Sequence, residues 1–546
     1  MDVHRNMDCC NSHSCAFTCT NMDVRKKILI ILKLFKTLKT KEKLAILSVF
    51  ILAIGLLMPP LYMLVKNNFM RIPRAGGEFI EGLYQPVDTL NPLLAGKSSE
   101  RSLVNLLYDR LLVDDGEGNF ALELSKSITP VGNGLRYIVE LKDNRVWSTG
   151  EKITSDDVLY SFEMLRKYGP GEVKNLFSNV DISRVDNFQI EFSLKVKDNY
   201  FLNKINQVYI LPKSLWSRIG SDEWSSREEE LLSVTSGPYK IAWRNKSEIV
   251  FVPNKLYRPK AYISKVTFKM YPNLQSATEA MKLRNVQAVS GLTYNTIGNT
   301  LSKRLHVERI LLPRVVGVFF NSKEIGSFNA NAYSDKIDRK KIRREVFEGY
   351  AEISPTLYSP SIRNILGRLE QIDISEFKKT SGENEKTIEL VVPQNYFFQN
   401  IGEQLKKVMP LTIRTEDIET ISTEIIPQKK YQAVLFGINY NLPPNLTPFF
   451  HETSPFNLIN YSNPAINQVL QKLEIEDLKQ KDKEQAFVDL EKEILKTGST
   501  LFLVNPHYLY VMPNNVRGYH VRILRQPENR FDQIERWYMQ TSMRWR

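Results

Sequence analysis

From Gly76 onward, short apolar runs alternate with longer stretches in which apolar residues recur every three or four positions. Runs rich in β-branched, aromatic and leucine residues predict strands at Tyr137 to Leu141, Phe188 to Leu194, Ile249 to Val252, Val266 to Met270, Val315 to Phe320, Ile388 to Val392 and Ala433 to Phe436. The three-to-four spacing predicts helices with one buried face. Thr154 to Lys167 opens on T-S-D-D, where a hydroxyl and a carboxylate three residues on can satisfy free backbone donors, and then sets Val158, Leu159, Phe162 and Leu165 on one stripe. Ser276 to Arg284 starts with Ser276 and Glu279 at the same spacing. Lys481 to Lys496 aligns Phe487, Leu490 and Ile494 and stops at Gly498, a helix-terminating residue. With no low-complexity stretch and no solenoid repeat, this alternation predicts a mixed α/β fold.

One segment breaks the pattern. Leu44 to Val65 is uncharged and about as long as a helix needs to cross a bilayer. Arg25, Lys26, Lys27, Lys33, Lys36, Lys39, Lys41 and Lys43 precede it, whereas Lys66, Arg71 and Arg74 follow closely, so the positive-inside rule places the N-terminus in the cytoplasm. No small-x-small cleavage site or acylatable cysteine follows the apolar run, so an uncleaved anchor is expected. Pro59 and Pro60 mark a point where the helix is expected to bend or stop. Ile28 to Leu38 is too short to span and reads either as a membrane-surface helix or as an extension of the anchor.

The chain carries thirteen net positive charges over 546 residues, and its basic excess is concentrated in this N-terminal region. Twelve Lys and Arg against four Asp and Glu lie at or before Arg74, so a nucleic-acid partner is not expected. Cys9, Cys10, Cys15 and Cys19 all precede the anchor, and no disulfide framework supports the outer part. With His4 and His13 they lack paired C-x2-C spacing, so a reduced tail is expected and no metal. Met1-Asp2-Val3 recurs as Met22-Asp23-Val24, which leaves Met22 as an alternative start.

Catalytic patterns are missing. The histidines make no H-E-x-x-H, and no G-x-S-x-G elbow occurs. Gly96-Lys97-Ser98 looks like the end of a phosphate loop, but Asn91 stands at its first glycine. Glu228, Glu229 and Glu230 read as a solvated helix face. No enzyme activity and no cofactor are expected. Aromatics beside turn residues are the more suggestive feature: Tyr84 before Pro86, Trp147 before Gly150, Tyr294 after Gly291 and Tyr440 before Pro443.

Several stretches, in order, carry a family resemblance. Thr89-Leu90-Asn91-Pro92 with Leu107 to Leu112, Val146 to Glu163 (VWSTGEKITSDDVLYSFE), Thr235 to Ile241 (TSGPYKI), Ala280 to Gly291, Val318 to Asn321, Tyr431 to Phe450 and Asn460 to Pro464 (NYSNP) resemble motifs of the bacterial extracellular solute-binding protein family 5. That family includes dipeptide-, oligopeptide- and nickel-binding receptors of ABC importers. The resemblance implies a two-lobed α/β fold of the periplasmic-binding-protein kind (type II, cluster C-like) with a discontinuous first lobe, preceded by one transmembrane helix. The implied organisation is a cytoplasmic tail at 1–43, an anchor at 44–65, a linker at 66–76, lobe I at 77–315 and 507–546 with an inserted subdomain at about 110–232, and lobe II at 316–506. Crossovers are placed near Pro313 to Gly317 and Leu503 to Tyr508.

The implied function is that of an extracytoplasmic receptor at the cell membrane. It would pass a peptide or other small solute to ABC permease subunits, and Tyr84, Tyr294, Val316, Gly317, Ile438, Asn439 and Tyr440 are the expected lining residues. Peptide-binding members neutralise a ligand's amine with an acid in the loop after a G-W pair. Here Gly437 to Pro444 contains no acid, and Ile438 replaces the tryptophan. A non-peptide ligand such as a metal chelate or a sugar, a membrane-anchored sensor, and a secreted hydrolase are the alternatives.

Overall fold

The computed structural model describes residues 39–169, 173–292, 305–326, 328–378 and 386–545. The cysteines, the expected surface segment Ile28 to Leu38 and Tyr294 therefore lie outside the described residues. The chain divides into two compact units, Met1–Ile72 with Ser542–Arg546, and Pro73–Thr541. In the first unit, the helix Thr40–Asn68 runs through Pro59 and Pro60 instead of stopping there. Each proline removes one backbone donor, but the helix carries on beyond both. Thr40–Pro60 is long and apolar enough to cross a membrane, and Phe50, Leu52, Leu56 and Leu57 are exposed along it.

The second unit is built on two sheets. A seven-stranded sheet runs in space through Leu305–Ile310, Tyr508–Pro513, Ala288–Ser290, Glu78–Leu83, Lys265–Met270, Glu248–Pro253 and Tyr239–Arg244. A six-stranded sheet runs through Ala351–Ile353, Thr500–Pro506, Arg314–Phe320, Ala433–Asn439, Ile388–Pro393 and Leu411–Glu416. Its central strands are apolar on both faces because both faces are covered. Along Arg314–Phe320, Val315 and Phe319 enter one core while Val316, Val318 and Phe320 enter another, as the two-residue period of a strand requires.

The chain leaves the seven-stranded sheet after Ile310, enters the six-stranded one at Arg314, and returns between Pro506 and Tyr508. This produces a two-lobed α/β fold whose first lobe is discontinuous. A four-stranded antiparallel sheet, ordered Ser125–Val131, Arg136–Leu141, Gln189–Leu194 and Val180–Arg184, packs into the same core as the seven-stranded sheet. The helix Ser155–Tyr168 covers it. Thr154 and Asp157 form the capping box, and Val158, Phe162 and Leu165 are buried.

Two local expectations change. The helix expected from Ser276 spans Leu274–Lys282 and is capped by Asn273, whose side chain accepts from Ser276 N at 2.8 Å. An asparagine oxygen just outside the helix reaches that donor, whereas Ser276 is already helical. Glu228 is not merely solvated. It accepts from Leu90 N (2.8 Å) and Asn91 N (3.2 Å) and pairs with Arg244 at 2.6 Å, so it fixes the turn carrying Thr89 to Pro92.

The core of the seven-stranded lobe holds buried acids near Arg110 and Arg145. Arg110 pairs with Asp532 at 2.6 Å, and its backbone N–H donates to Glu123 at 2.6 Å. Burial pushes Glu123 up to about 7, outweighing the pull of Arg110 and Arg145. A carboxyl whose folded value is raised contributes stability that is full below its unfolded value of about 4.3 and is lost as pH rises through its folded value. The melting temperature is therefore expected to fall between pH 5 and pH 8 more steeply in the wild type than in Glu123→Gln. Parallel pH profiles of the two proteins by differential scanning calorimetry would contradict this.

Candidate functional site

A cavity of about 600 Å³ opens where the two sheets exchange strands. That is within the ~300–1,000 Å³ typical of small-ligand sites. One wall is the six-stranded sheet. Arg314 pairs with Asn439, and Val316 with Gly437, across neighbouring strands, so the four positions share one face. All four line the cavity.

A second wall is the first turn of the helix Tyr396–Lys406. Asn395 caps this helix by accepting from Phe397 N at 2.9 Å, and Phe397, Phe398 and Ile401 line the space. Phe347 stacks on Phe397 with ring centroids 6.0 Å apart and planes 11° from parallel. Beside it, Glu348 brings a carboxylate to the wall.

The seven-stranded lobe contributes Tyr84, Gly291, Leu292, Tyr508 and Leu509. Gly291 has φ +69°, and a Cβ there would lie 2.6 Å from the Tyr84 hydroxyl, so only glycine fits so close to this ring. Behind the wall, fully buried Glu81 accepts from Tyr510 Oη at 2.6 Å and from Arg530 Nη2 at 2.7 Å. Burial raises the phenol of Tyr84, and that of Tyr508 to about 12. Both remain protonated at neutral pH and present apolar rings with a polar tip.

The crossovers themselves border the cavity. Arg314 donates from Nε (2.9 Å) and Nη2 (2.7 Å) to Pro506 O, and Asn505 Nδ2 donates to Leu312 O at 3.1 Å. These contacts tie one crossover to the other. His507, half-buried between the sheets, has its imidazole pushed down by burial and by Arg309, Arg314 and Arg343, against the upward pull of Glu352. It is neutral at pH 7.

Elsewhere the lobes touch through a few polar contacts. Asn199 donates its backbone N–H to Glu474 O (2.8 Å) and its side chain to Leu473 O (2.9 Å) and Glu476 O (2.8 Å). Tyr200 Oη donates to Pro444 O at 2.8 Å.

Of the residues expected from sequence, Tyr84, Val316, Ile438 and Asn439 line this cavity. Asn439 also donates to Arg525 O at 3.1 Å, a contact from one lobe to the other. Gly317 does not line it. It lies on the opposite face of its strand, where a Cβ would come 2.9 Å from Leu501 O. Tyr440 is fully buried in the core of the six-stranded lobe, edge-on to Tyr358 at 5.7 Å, and Trp147 is likewise core.

Sequence reasoning missed Arg314, Glu348, Phe397, Phe398 and His507. The available signal was a lone arginine heading an otherwise apolar strand, inside a segment already placed as a crossover. Asn395 before Tyr396-Phe397-Phe398 was a second signal, since an asparagine cap ahead of aromatics exposes them at a helix start.

A cavity enclosed by two lobes that are joined by short crossovers defines a cleft-type binding protein. Residues 119–365 match the profile of bacterial extracellular solute-binding proteins, family 5 (middle). Over these residues the chain resembles that family of solute-binding proteins. The oligopeptide-binding protein AppA of Bacillus subtilis is 23% identical over 515 residues, 86% of this chain and 92% of AppA. The structure of that protein with a nonapeptide has a TM-score of 0.64 at 20% identity and covers 86% of this chain and 99% of its own. The ABC transporter substrate-binding protein CtaP of Listeria monocytogenes has a TM-score of 0.72 at 19% identity, covering 85% and 99%. NikZ of Campylobacter jejuni, solved with Ni(L-His), has a TM-score of 0.64 at 16% identity, covering 84% and 99%.

A side chain grafted at Gly437 tests the cavity. Its Cβ would sit 3.6 Å from Val316 Cγ2 and 4.0 Å from Phe398 Cζ, ordinary contacts that the backbone accepts. Gly437→Leu is expected to cut retention of a mixed peptide pool, read by mass spectrometry after desalting, while the ligand-free melting temperature stays within a few degrees of wild type. Undiminished retention would place the ligand elsewhere.

Proposed function

We propose that the protein is the tethered extracytoplasmic receptor of an ABC importer and captures peptides or peptide-like solutes by closing lobe I (77–315 with 507–546) on lobe II (316–506). The observation that carries this reading is the cavity walled by both lobes at their crossovers. The walls suit a short peptide. Phe397, Phe398, Tyr84 and Tyr508 offer apolar area, while Asn439 and the two phenols offer hydrogen bonds that need no particular side chain. The oligopeptide-binding relatives support the same ligand class.

Glu348 bears on the acid missing from Gly437 to Pro444. It lies in the cavity wall and supplies a carboxylate toward which a ligand's free amine can orient, which an enclosed ammonium requires. The helix Thr40–Asn68 serves as an uncleaved single-pass anchor with the N-terminus in the cytoplasm. The charge asymmetry around it supports that orientation.

Closure on a solute stabilises the folded state alone. Ligand at a hundred times its dissociation constant adds about 2.7 kcal/mol. Pools of di- to nonapeptides are therefore expected to raise the melting temperature and to be recovered from the denatured protein unchanged in mass. No shift with any pool would overturn the peptide reading, and recovery of shortened peptides would overturn the receptor reading in favour of a hydrolase.

A further inference from the structure

The first unit contains more than its helix. Asn68 closes the helix Thr40–Asn68, and the strand Phe69–Arg74 begins at the next residue with no loop between. That strand pairs with Gln540–Trp545 as a two-stranded sheet. The pair runs antiparallel: Phe69 meets Trp545 edge-on with ring centroids 5.0 Å apart, whereas beyond the other end a Cβ at Gly76 would meet Gln540. Met543 and Trp545 project from one face of their strand, as the two-residue period requires, and Phe69 touches that face.

This ribbon is poorly suited to water. An isolated two-stranded sheet is marginal there. Here Met543 and Trp545 are 58% and 57% exposed, and Met70 on the neighbouring strand is 44% exposed, so the apolar side chains the ribbon carries lack a core. Its charge has one sign. No acid occurs between Val65 and Glu78 or after Glu535, and Lys66, Arg71 and Arg544 form no ion pair among the described residues. Aromatic rings beside a spanning helix, together with unpaired basic side chains, match the headgroup layer of a bilayer, which is part apolar and part anionic.

The lengths agree. As a helix, the uncharged run Leu44 to Val65 rises about 33 Å, enough to fill a hydrocarbon layer of about 30 Å. Lys66 then stands at the outer edge. Phe69 follows about 5 Å further out, inside a headgroup layer roughly 5–7 Å deep. We propose that the ribbon is a second membrane contact: the face formed by Phe69, Met543 and Trp545 enters the headgroup layer beside the anchor, and Lys66, Arg71 and Arg544 engage anionic phospholipid headgroups. This rests on the reading of Thr40–Asn68 as an anchor. The long basic side chains lay their stems along the apolar surface and carry their charges to phosphate. Both connections between the two units, between Ile72 and Pro73 and between Thr541 and Ser542, run through this ribbon. Docking it holds both starting points of the second unit at the membrane surface, whereas a single flexible linker would hold one.

The test uses the full-length protein with Cys9, Cys10, Cys15 and Cys19 replaced by serine, reconstituted in lipid nanodiscs. A fluorophore is placed by Met543→Cys on the ribbon or by Ile54→Cys in the middle of the helix, and is quenched by lipids carrying a nitroxide at the headgroup or in mid-chain. The Ile54→Cys label is expected to be quenched from mid-chain and the Met543→Cys label from the headgroup. Phosphatidylglycerol in place of part of the phosphatidylcholine should strengthen the second quenching. Arg71→Gln with Arg544→Gln should remove most of that gain, at about fivefold in the docked-to-free ratio for each charge. Mid-chain quenching at Ile54→Cys without headgroup quenching at Met543→Cys overturns the inference and leaves the anchor standing. No mid-chain quenching at Ile54→Cys overturns the anchor reading and this inference with it. Headgroup quenching at Met543→Cys that is equal in neutral and anionic discs overturns the assignment of anionic headgroups. If the double variant fails to fold, the comparison of the two lipid mixtures decides.

Discussion

Everything in the second unit depends on how two adjacent strand pairs change sheets side by side. Leu305–Ile310 and Tyr508–Pro513 are neighbours in one sheet, and Arg314–Phe320 and Thr500–Pro506 are neighbours in the other. The links between them are Leu311 to Pro313 and His507. Arg314 to Pro506 O and Asn505 to Leu312 O bind the links to each other, so the proposed closure would bend them together as one hinge. A cavity at this place is a geometric consequence. The ends of both sheets arrive there, and neither lobe alone can cover them.

The lobes have largely separate cores, joined where Leu311 and Ile523 of the first enter a core of the second. Fully buried side chains fill both, and their packing resists deformation. Outside the hinge, the polar contacts between them include hydrogen bonds at Asn199, Tyr200 and Asn439, each worth about 0.5–1.5 kcal/mol net, and the Lys197–Asp477 ion pair, and Ile523 packs against the lobe II core. So small a holding energy suits a binding protein. A solute can shift the balance between open and closed forms only through contacts that exist in the closed form alone, and modest contacts suffice where the forms differ by little.

The fold was largely legible because its strands are buried on both faces. Runs such as Val315 to Phe320 and Ile388 to Val392 stand out by composition, and the structure extends each by a residue or so, to Arg314–Phe320 and Ile388–Pro393. Capping chemistry was legible where the cap is a hydroxyl with an acid three residues on, as at Thr154, and misread at Asn273, where one side chain does the work. The site was less legible. Its walls come from Tyr84, Arg314, Phe397 and His507, far apart in sequence, and local pattern says nothing of which turn faces which. Strand parity separates Val316 from Gly317, and it is set by register, which only the pairing reveals. Tyr440 has the composition of a ligand-stacking residue but follows a strand whose end turns into the core.

The measurement closest to the central claim is a distance between the lobes with and without ligand. Spin labels at Leu283 and Lys407, both exposed, would report it by pulsed electron resonance once Cys9, Cys10, Cys15 and Cys19 are replaced by serine. The hinge account predicts a broad distribution in the ligand-free protein that collapses to a single narrow distance when a retained peptide is added. A distribution that ligand leaves unchanged would contradict it.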